Sequence, residues 1–183
     1  MSTPKPWKIA SSRYLLDHPF LKVIEDTLVH PDDGRTYRHY LVDGGRHAVA
    51  VVALTDDGKI LLTRQYRHGV KAVIFDLPAG RVNGDEPFIE AAARELEEET
   101  GYRAGHIEPL TFYNQFPGGI TTGGYLFFAK NLRRVGAQKL DEHEDVEVVE
   151  MPVAEVLNLV LNNGTPDGSL MLGVLFARAK GLI

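Results

Sequence analysis

The chain has 183 residues, 44% of them hydrophobic and 25% charged, with a formal net charge of −5. That length accommodates one sizeable core, and the composition is ordinary for a globular protein. The acidic balance argues against non-specific nucleic-acid binding, and zero cysteines exclude disulfides, thiolate metal sites and cysteine nucleophiles.

In chain order, residues 7–17 and 20–29 read as strands, and Asp32-Asp33-Gly34 as a turn into a third at 37–42. These make an N-terminal antiparallel unit over residues 1–45, ahead of a main domain at 46–183. Residues 47–55 are a nearly continuous apolar run, the pattern of a buried strand. Asp56-Asp57-Gly58 turns that run into 60–64. A strand at 73–76 leads through the loop Leu77-Pro78-Ala79-Gly80 into a glutamate-rich helix. Further strands are expected at 108–115, 125–130 and 146–151. Two late helices follow, at 152–163, ended by Gly164, and at 169–180. This order fits an α/β fold, an α/β/α sandwich around a mixed sheet with the N-terminal strand unit attached. No apolar run approaches membrane-spanning length, and the opening residues MSTPKPWK lack the apolar core of a signal peptide. A reducing cytoplasm is the expected compartment.

The most informative stretch is residues 80–102, GRVNGDEPFIEAAARELEEETGY. Asp85 and Glu86 precede Pro87 at the first turn of the helix, and Gly101 stands just past its end. Glu95 and Glu99 are four apart and Glu95 and Glu98 three apart, so their carboxylates crowd one face and repel. A charge run of this kind is commonly a solvated face. Here Ala91, Ala92, Ala93 and Leu96 give the helix an apolar side, and the glycine-bearing loop can bring backbone carbonyls to the same place. Oxygen-only donors of this sort suit hard ions such as Mg²⁺ or Mn²⁺.

The spacing of Gly80, Glu86, Arg94, Glu95, Leu96, Glu98, Glu99 and Gly101 resembles the signature of the Nudix hydrolases, with Tyr102 in its last, apolar position. The resemblance implies a strand–loop–helix that holds divalent metal and hydrolyses a nucleoside diphosphate linked to another group. Glu95, Glu98 and Glu99, with the Ala79 carbonyl, would be metal ligands, Arg94 would orient Glu98, and Glu86 would be structural.

Substrate choice lies outside the signature. Arg64-Gln65-Tyr66-Arg67-His68 either blunts an edge strand with charge or binds substrate, with Arg67 on a phosphate, Tyr66 on a base or ribose, and Arg64 a further contact. Such a segment is similar to the one in ADP-ribose and nucleotide-sugar pyrophosphatases, which also tend to have a proline where Pro117 stands. Pro117 and Gly118 are thus expected either as a simple turn or as substrate contacts. Two departures from that subgroup are Phe116, where serine is common, and the lack of an acidic residue in Thr121-Thr122-Gly123-Gly124.

The cluster Asp141-Glu142-His143-Glu144-Asp145 is, on composition, a solvated loop. In the ADP-ribose subgroup a mobile loop here lends a catalytic glutamate and a metal ligand. That resemblance makes Glu142 the water-activating base, with Glu98 or Glu99 as fallback, and Glu144 an additional ligand, with His143 a bystander. The expected reaction is metal-assisted attack of water on the pyrophosphate of ADP-ribose or a nucleotide sugar. A non-catalytic nucleotide-sensing module and a house-cleaning triphosphate hydrolase are the alternatives. The subgroup also implies a homodimer, paired through residues 1–45 and their aromatics Trp7, Tyr14, Phe20, Tyr37 and Tyr40, with this unit also supplying part of the base pocket.

Overall fold

The structure is a computed structural model that describes residues 3–162, 164–165 and 167–183. It divides into two compact units, one running to His47 and including Asn114–Gly123, the other comprising Ala48–Tyr113 and Gly124–Ile183.

The first unit is a three-stranded antiparallel sheet of β1 (Lys8–His18), β2 (Leu21–Val29) and β3 (Thr36–Asp43), in that spatial order. The expected turn at residues 32–34 closes with Gly34 at φ 69°, a left-handed conformation that glycine adopts without strain. Tyr14, Phe20, Tyr37 and Tyr40 are exposed, while Trp7 meets His30 edge-on at 5.0 Å. The 114–123 segment is tied to β3 by its backbone: the Val42 N–H donates to the Gly119 carbonyl at 2.7 Å. Pro117 and Gly118 lie in a tight turn in which the Phe116 carbonyl accepts from the Gly119 and Ile120 N–H groups.

The second unit holds a mixed sheet with strand order β10-β5-β4-β9-β8. Its strands are β4 (Ala48–Leu54), β5 (Lys59–Arg67), β6 (Ala72–Asp76), β7 (Ala79–Arg81), β8 (Tyr102–Asn114), β9 (Gly123–Arg134) and β10 (Val146–Pro152). β6 pairs with β5 and β7 with β4, and β4 runs parallel to β9. The alternation of β4 explains how both faces are covered. Val49, Val51 and Ala53 pack with Ala91, Ala92 and Leu96 of α1 (Phe88–Thr100). Ala50 and Val52 pack with Val156 and Val160 of α2 (Val153–Leu161) and with Leu170 and Val174 of α3 (Gly168–Ala179). Helices therefore flank the sheet on both sides, which is the expected α/β/α sandwich. Leu96 has no exposed surface, and truncating such a residue to alanine costs about 2–5 kcal/mol.

Several boundaries differ from expectation. β5 extends to Arg67 because its polar end pairs with β6, Arg67 opposite Ala72. At this end β5 pairs with β6 on one side and, as far as Gln65, with β10 on the other, so Arg64 stands inside the sheet rather than at its edge. β8 begins at Tyr102 rather than at 108: Gly101 stops the helix and the chain enters the strand with no intervening turn. β9 is longer than expected at both ends. Part of the expected loop forms the short strand β7. Helix α2 stops at Leu161, and its expected last residue, Asn163, is outside the described residues.

Candidate active site

Helix α1 carries the site. Pro87 is its N-cap, without a side-chain cap, rather than a first-turn residue. At the other end Gly101, at φ 75°, donates its N–H to the Glu97 carbonyl at 2.8 Å. Anchored by its apolar face, the helix turns Glu95, Glu98 and Glu99 toward a cavity of about 830 Å³ in the second unit.

Arg94 is the hub of this surface. Its guanidinium contacts the carboxylates of Glu86, Glu95 and Glu98, each at 2.8 Å, and donates to the Arg81 carbonyl at 3.0 Å. Glu86 also accepts from the Asn83 N–H, so it braces the loop entering the helix. Arg94 is held still more firmly in its charged form by these acids, the Glu86 bond foremost. The Arg94–Glu98 pair expected from the i,i+4 spacing is present, within a wider network than the spacing alone specifies.

Glu99 is buried, and its Oε2 accepts from the Ala79 N–H at 2.8 Å. Desolvation, followed by repulsion from Glu95 and Glu144, pushes its pKa up to about 8 despite that hydrogen bond. Desolvation likewise raises Glu95, against the pull of Arg94. Among the described residues no three acidic or imidazole side chains stand as a ready metal cluster, since Arg94 draws Glu95 and Glu98 toward itself. The donor chemistry nevertheless fits a hard divalent ion: oxygen donors only, two of them carboxylates that burial makes costly to charge without a cation.

The acidic loop reaches the same cavity through Asp141, His143, Glu144 and Asp145. Asp141 and Glu144 close on each other: the Glu144 carboxylate accepts from the Asp141 N–H, and the Asp141 carbonyl accepts from the Glu144 N–H, both at 3.0 Å. Glu142 is exposed and does not line the cavity.

Of the residues expected to contact substrate, Tyr66 and Arg67 line the cavity. Arg64 does not. It pairs with Glu147 across β10 at 2.6 Å. Arg67 grips the buried Asp76 at 2.6 Å through two of its nitrogens. Pro117 and Gly118 belong to the other unit. The cavity also contains residues to which the sequence assigned no role of their own: Gln65, Arg81, Asn83 and Lys139. Gln65 left a signal in retrospect, as a polar residue whose Nε2 is buried with no hydrogen-bond partner among the described residues. Lys139 and Arg81 left none, because only the fold brings them together.

A family model for the NUDIX domain matches residues 45–171. The chain is 36% identical over 135 residues to an ADP-ribose pyrophosphatase of Bacillus subtilis (strain 168), covering 73% of this chain and 72% of that one. It is 34% identical to a methanol dehydrogenase activator of Bacillus methanolicus, covering 81% and 80%. It is 29% identical to a GDP-mannose pyrophosphatase of Escherichia coli (strain K12), covering 82% and 84%. A solved ADP compounds hydrolase superposes with a TM-score of 0.88 over 100% of this chain and 98% of that one, at 22% identity, a likeness of fold. With the signature helix set against its cavity and the family model spanning most of the second unit, the chain belongs to the Nudix hydrolase family.

Proposed function

We propose that this chain hydrolyses the pyrophosphate bond of a nucleoside diphosphate joined to a second moiety. ADP-ribose or another nucleotide sugar is the substrate, and a nucleoside monophosphate and a phosphorylated product leave. One observation carries the reading: the desolvated Glu95 and Glu99 stand beside Arg94-held Glu98 on a cavity of about 830 Å³, a size suited to a nucleotide derivative. The similarity to proteins named ADP-ribose and GDP-mannose pyrophosphatase supports the substrate class.

Nudix hydrolases generally need divalent metal. Here the proposed ion is Mg²⁺, with Mn²⁺ as substitute, held by Glu95, Glu98, Glu99, the Ala79 carbonyl and Glu144. Such ions supply charge neutralisation and Lewis-acid polarisation of the phosphoryl oxygens. The chain's own groups do the rest. Glu142 takes the proton from the attacking water once its loop brings it inward, and Glu98 or Glu99 is the fallback base. Arg94 keeps Glu98 oriented. Tyr66 offers a ring to the base or ribose, and Gln65 Nε2 a donor to a phosphoryl oxygen.

The exposed aromatics of residues 1–45 support a homodimer in which this strand unit provides contact area. Among the described residues no helix is long and apolar enough to cross a membrane. The lack of cysteine suits the proposed cytoplasmic setting. The test is a substrate panel of ADP-ribose, nucleotide sugars, dinucleotides and triphosphates, with and without EDTA. Metal-dependent turnover highest on ADP-ribose or a nucleotide sugar is expected. Binding without turnover across the panel would favour a sensing module instead.

A further inference from the structure

Four cationic side chains line the cavity of the second unit: Arg67, Arg81, Arg94 and Lys139. Three are engaged. Arg94 holds Glu86, Glu95 and Glu98, Arg67 holds Asp76, and Lys139 faces Glu97 at 3.4 Å. Arg81 makes no side-chain hydrogen bond or ion pair with any described residue. Its backbone, by contrast, is fixed twice, by pairing with Ala48 on β4 and by the Arg94 bond to its carbonyl. The result is an uncommitted guanidinium on a rigid strand that borders a cavity whose carboxylates outnumber its cations.

We propose that Arg81 is the residue that binds a phosphoryl oxygen of the substrate's pyrophosphate, so that it sets affinity for the anionic portion of the ligand. This rests on the pyrophosphatase reading above. Beyond the charge that bound divalent metal would offset, a pyrophosphate entering this acidic cavity is favoured by a protein cation not already neutralised. Arg67 meets that requirement poorly. Its Nε and Nη2 are committed to Asp76, a carboxylate with only 2% of its surface exposed, so a bidentate grip on phosphate would come at the expense of that buried pair. Arg94 cannot leave without disordering Glu95 and Glu98. Lys139 presents a single flexible ammonium already facing Glu97. Arg81 alone offers a planar fork of N–H donors, the geometry that matches phosphate bidentately, at no cost to an existing contact.

The test compares Arg81→Gln and Arg81→Lys with the wild-type chain on ADP-ribose at saturating Mg²⁺, with thermal melting to confirm folding. Arg81→Gln should raise KM about tenfold while kcat stays within about twofold, because a contact made equally in ground and transition states is lost. Its kcat/KM should also depend less on ionic strength. Arg81→Lys should lie between the two, keeping the charge without the fork, and it carries the comparison if Arg81→Gln does not fold. An active wild type whose KM is unmoved by either variant overturns the assignment of Arg81 alone. A wild type inactive on the whole nucleotide panel overturns the reaction itself, and this assignment with it.

Discussion

The Cα of Gly80 lies so close against the Glu95 carboxyl group that any Cβ at position 80 would overlap it. The glycine is required by close approach: it lets the loop fold onto the acidic face of α1 while Glu95 stays in reach of Arg94. Gly80→Ala should therefore displace the Glu95 carboxylate, the far end of a flexible side chain, at little cost to the fold, and raise the Mg²⁺ concentration giving half activity. Melting curves and metal titrations of the variant check both effects. Unchanged metal dependence would separate Glu95 from the metal site.

Glu99 carries a pH signature. Its pKa rises from 4.5 to about 8 on folding, so the native state holds a proton that the unfolded chain releases. That stabilisation is fully present below 4.5 and is lost as pH rises through about 8, with Glu95 contributing in the same direction. In EDTA the melting temperature should thus fall across the alkaline side of that window. Added Mg²⁺ favours the ionised carboxylates and should flatten the decline. A melting temperature that climbs with pH in EDTA would show that neither carboxylate is desolvated as described.

How much of this was legible beforehand depends on whether a property was local. The 3.6-residue period alone puts Glu95, Glu98 and Glu99 on one face, and the apolar run of β4 announces a strand buried on both sides. The end of β5 was illegible for a physical reason: Gln65 to Arg67 carries no apolar alternation to mark a strand, and pairing with β6, joined by β10 as far as Gln65, makes it one. The outward pairing of Arg64 with Glu147 depends on the same unseen register. Arg81 and Lys139 are 58 positions apart in the sequence and share a cavity only through tertiary packing. Glu142 and Glu144 show the reverse problem. Spacing makes them equivalent candidates, yet Glu144 alone reaches the cavity, where its charge acts on Glu95 and Glu99.

That difference separates their variants. Glu142→Gln should lower kcat by about 10²–10⁴ with little change in KM if Glu142 takes the proton in the transition state. Glu144→Gln should instead raise the Mg²⁺ requirement. Steady-state kinetics at graded Mg²⁺ distinguishes the two. Wild-type behaviour of both variants would return the base to the signature helix.

The acidic loop has a clasp. The Gln138 side-chain amide donates to the Glu99 carbonyl at 2.7 Å and to the Val146 carbonyl at 3.0 Å, joining the end of α1 to the start of β10. Next to it, the Lys139 N–H donates to the Glu98 carbonyl at 2.8 Å. Gln138→Leu removes both side-chain bonds and should cost about 1–3 kcal/mol. It should also speed hydrogen exchange in residues 139–145 and reduce kcat more than it alters KM. Exchange rates equal to wild type in that segment would show that the loop is held by other contacts.

The most direct measurement is the identity of the products from ADP-ribose, followed by chromatography for the wild type and for Glu98→Gln. The expected result is AMP and ribose phosphate in equal amounts with Mg²⁺ present, none in EDTA, and turnover reduced by orders of magnitude in a Glu98→Gln protein that melts like wild type. Product formation by Glu98→Gln at the wild-type rate in excess EDTA would contradict a metal-dependent pyrophosphatase built on this helix.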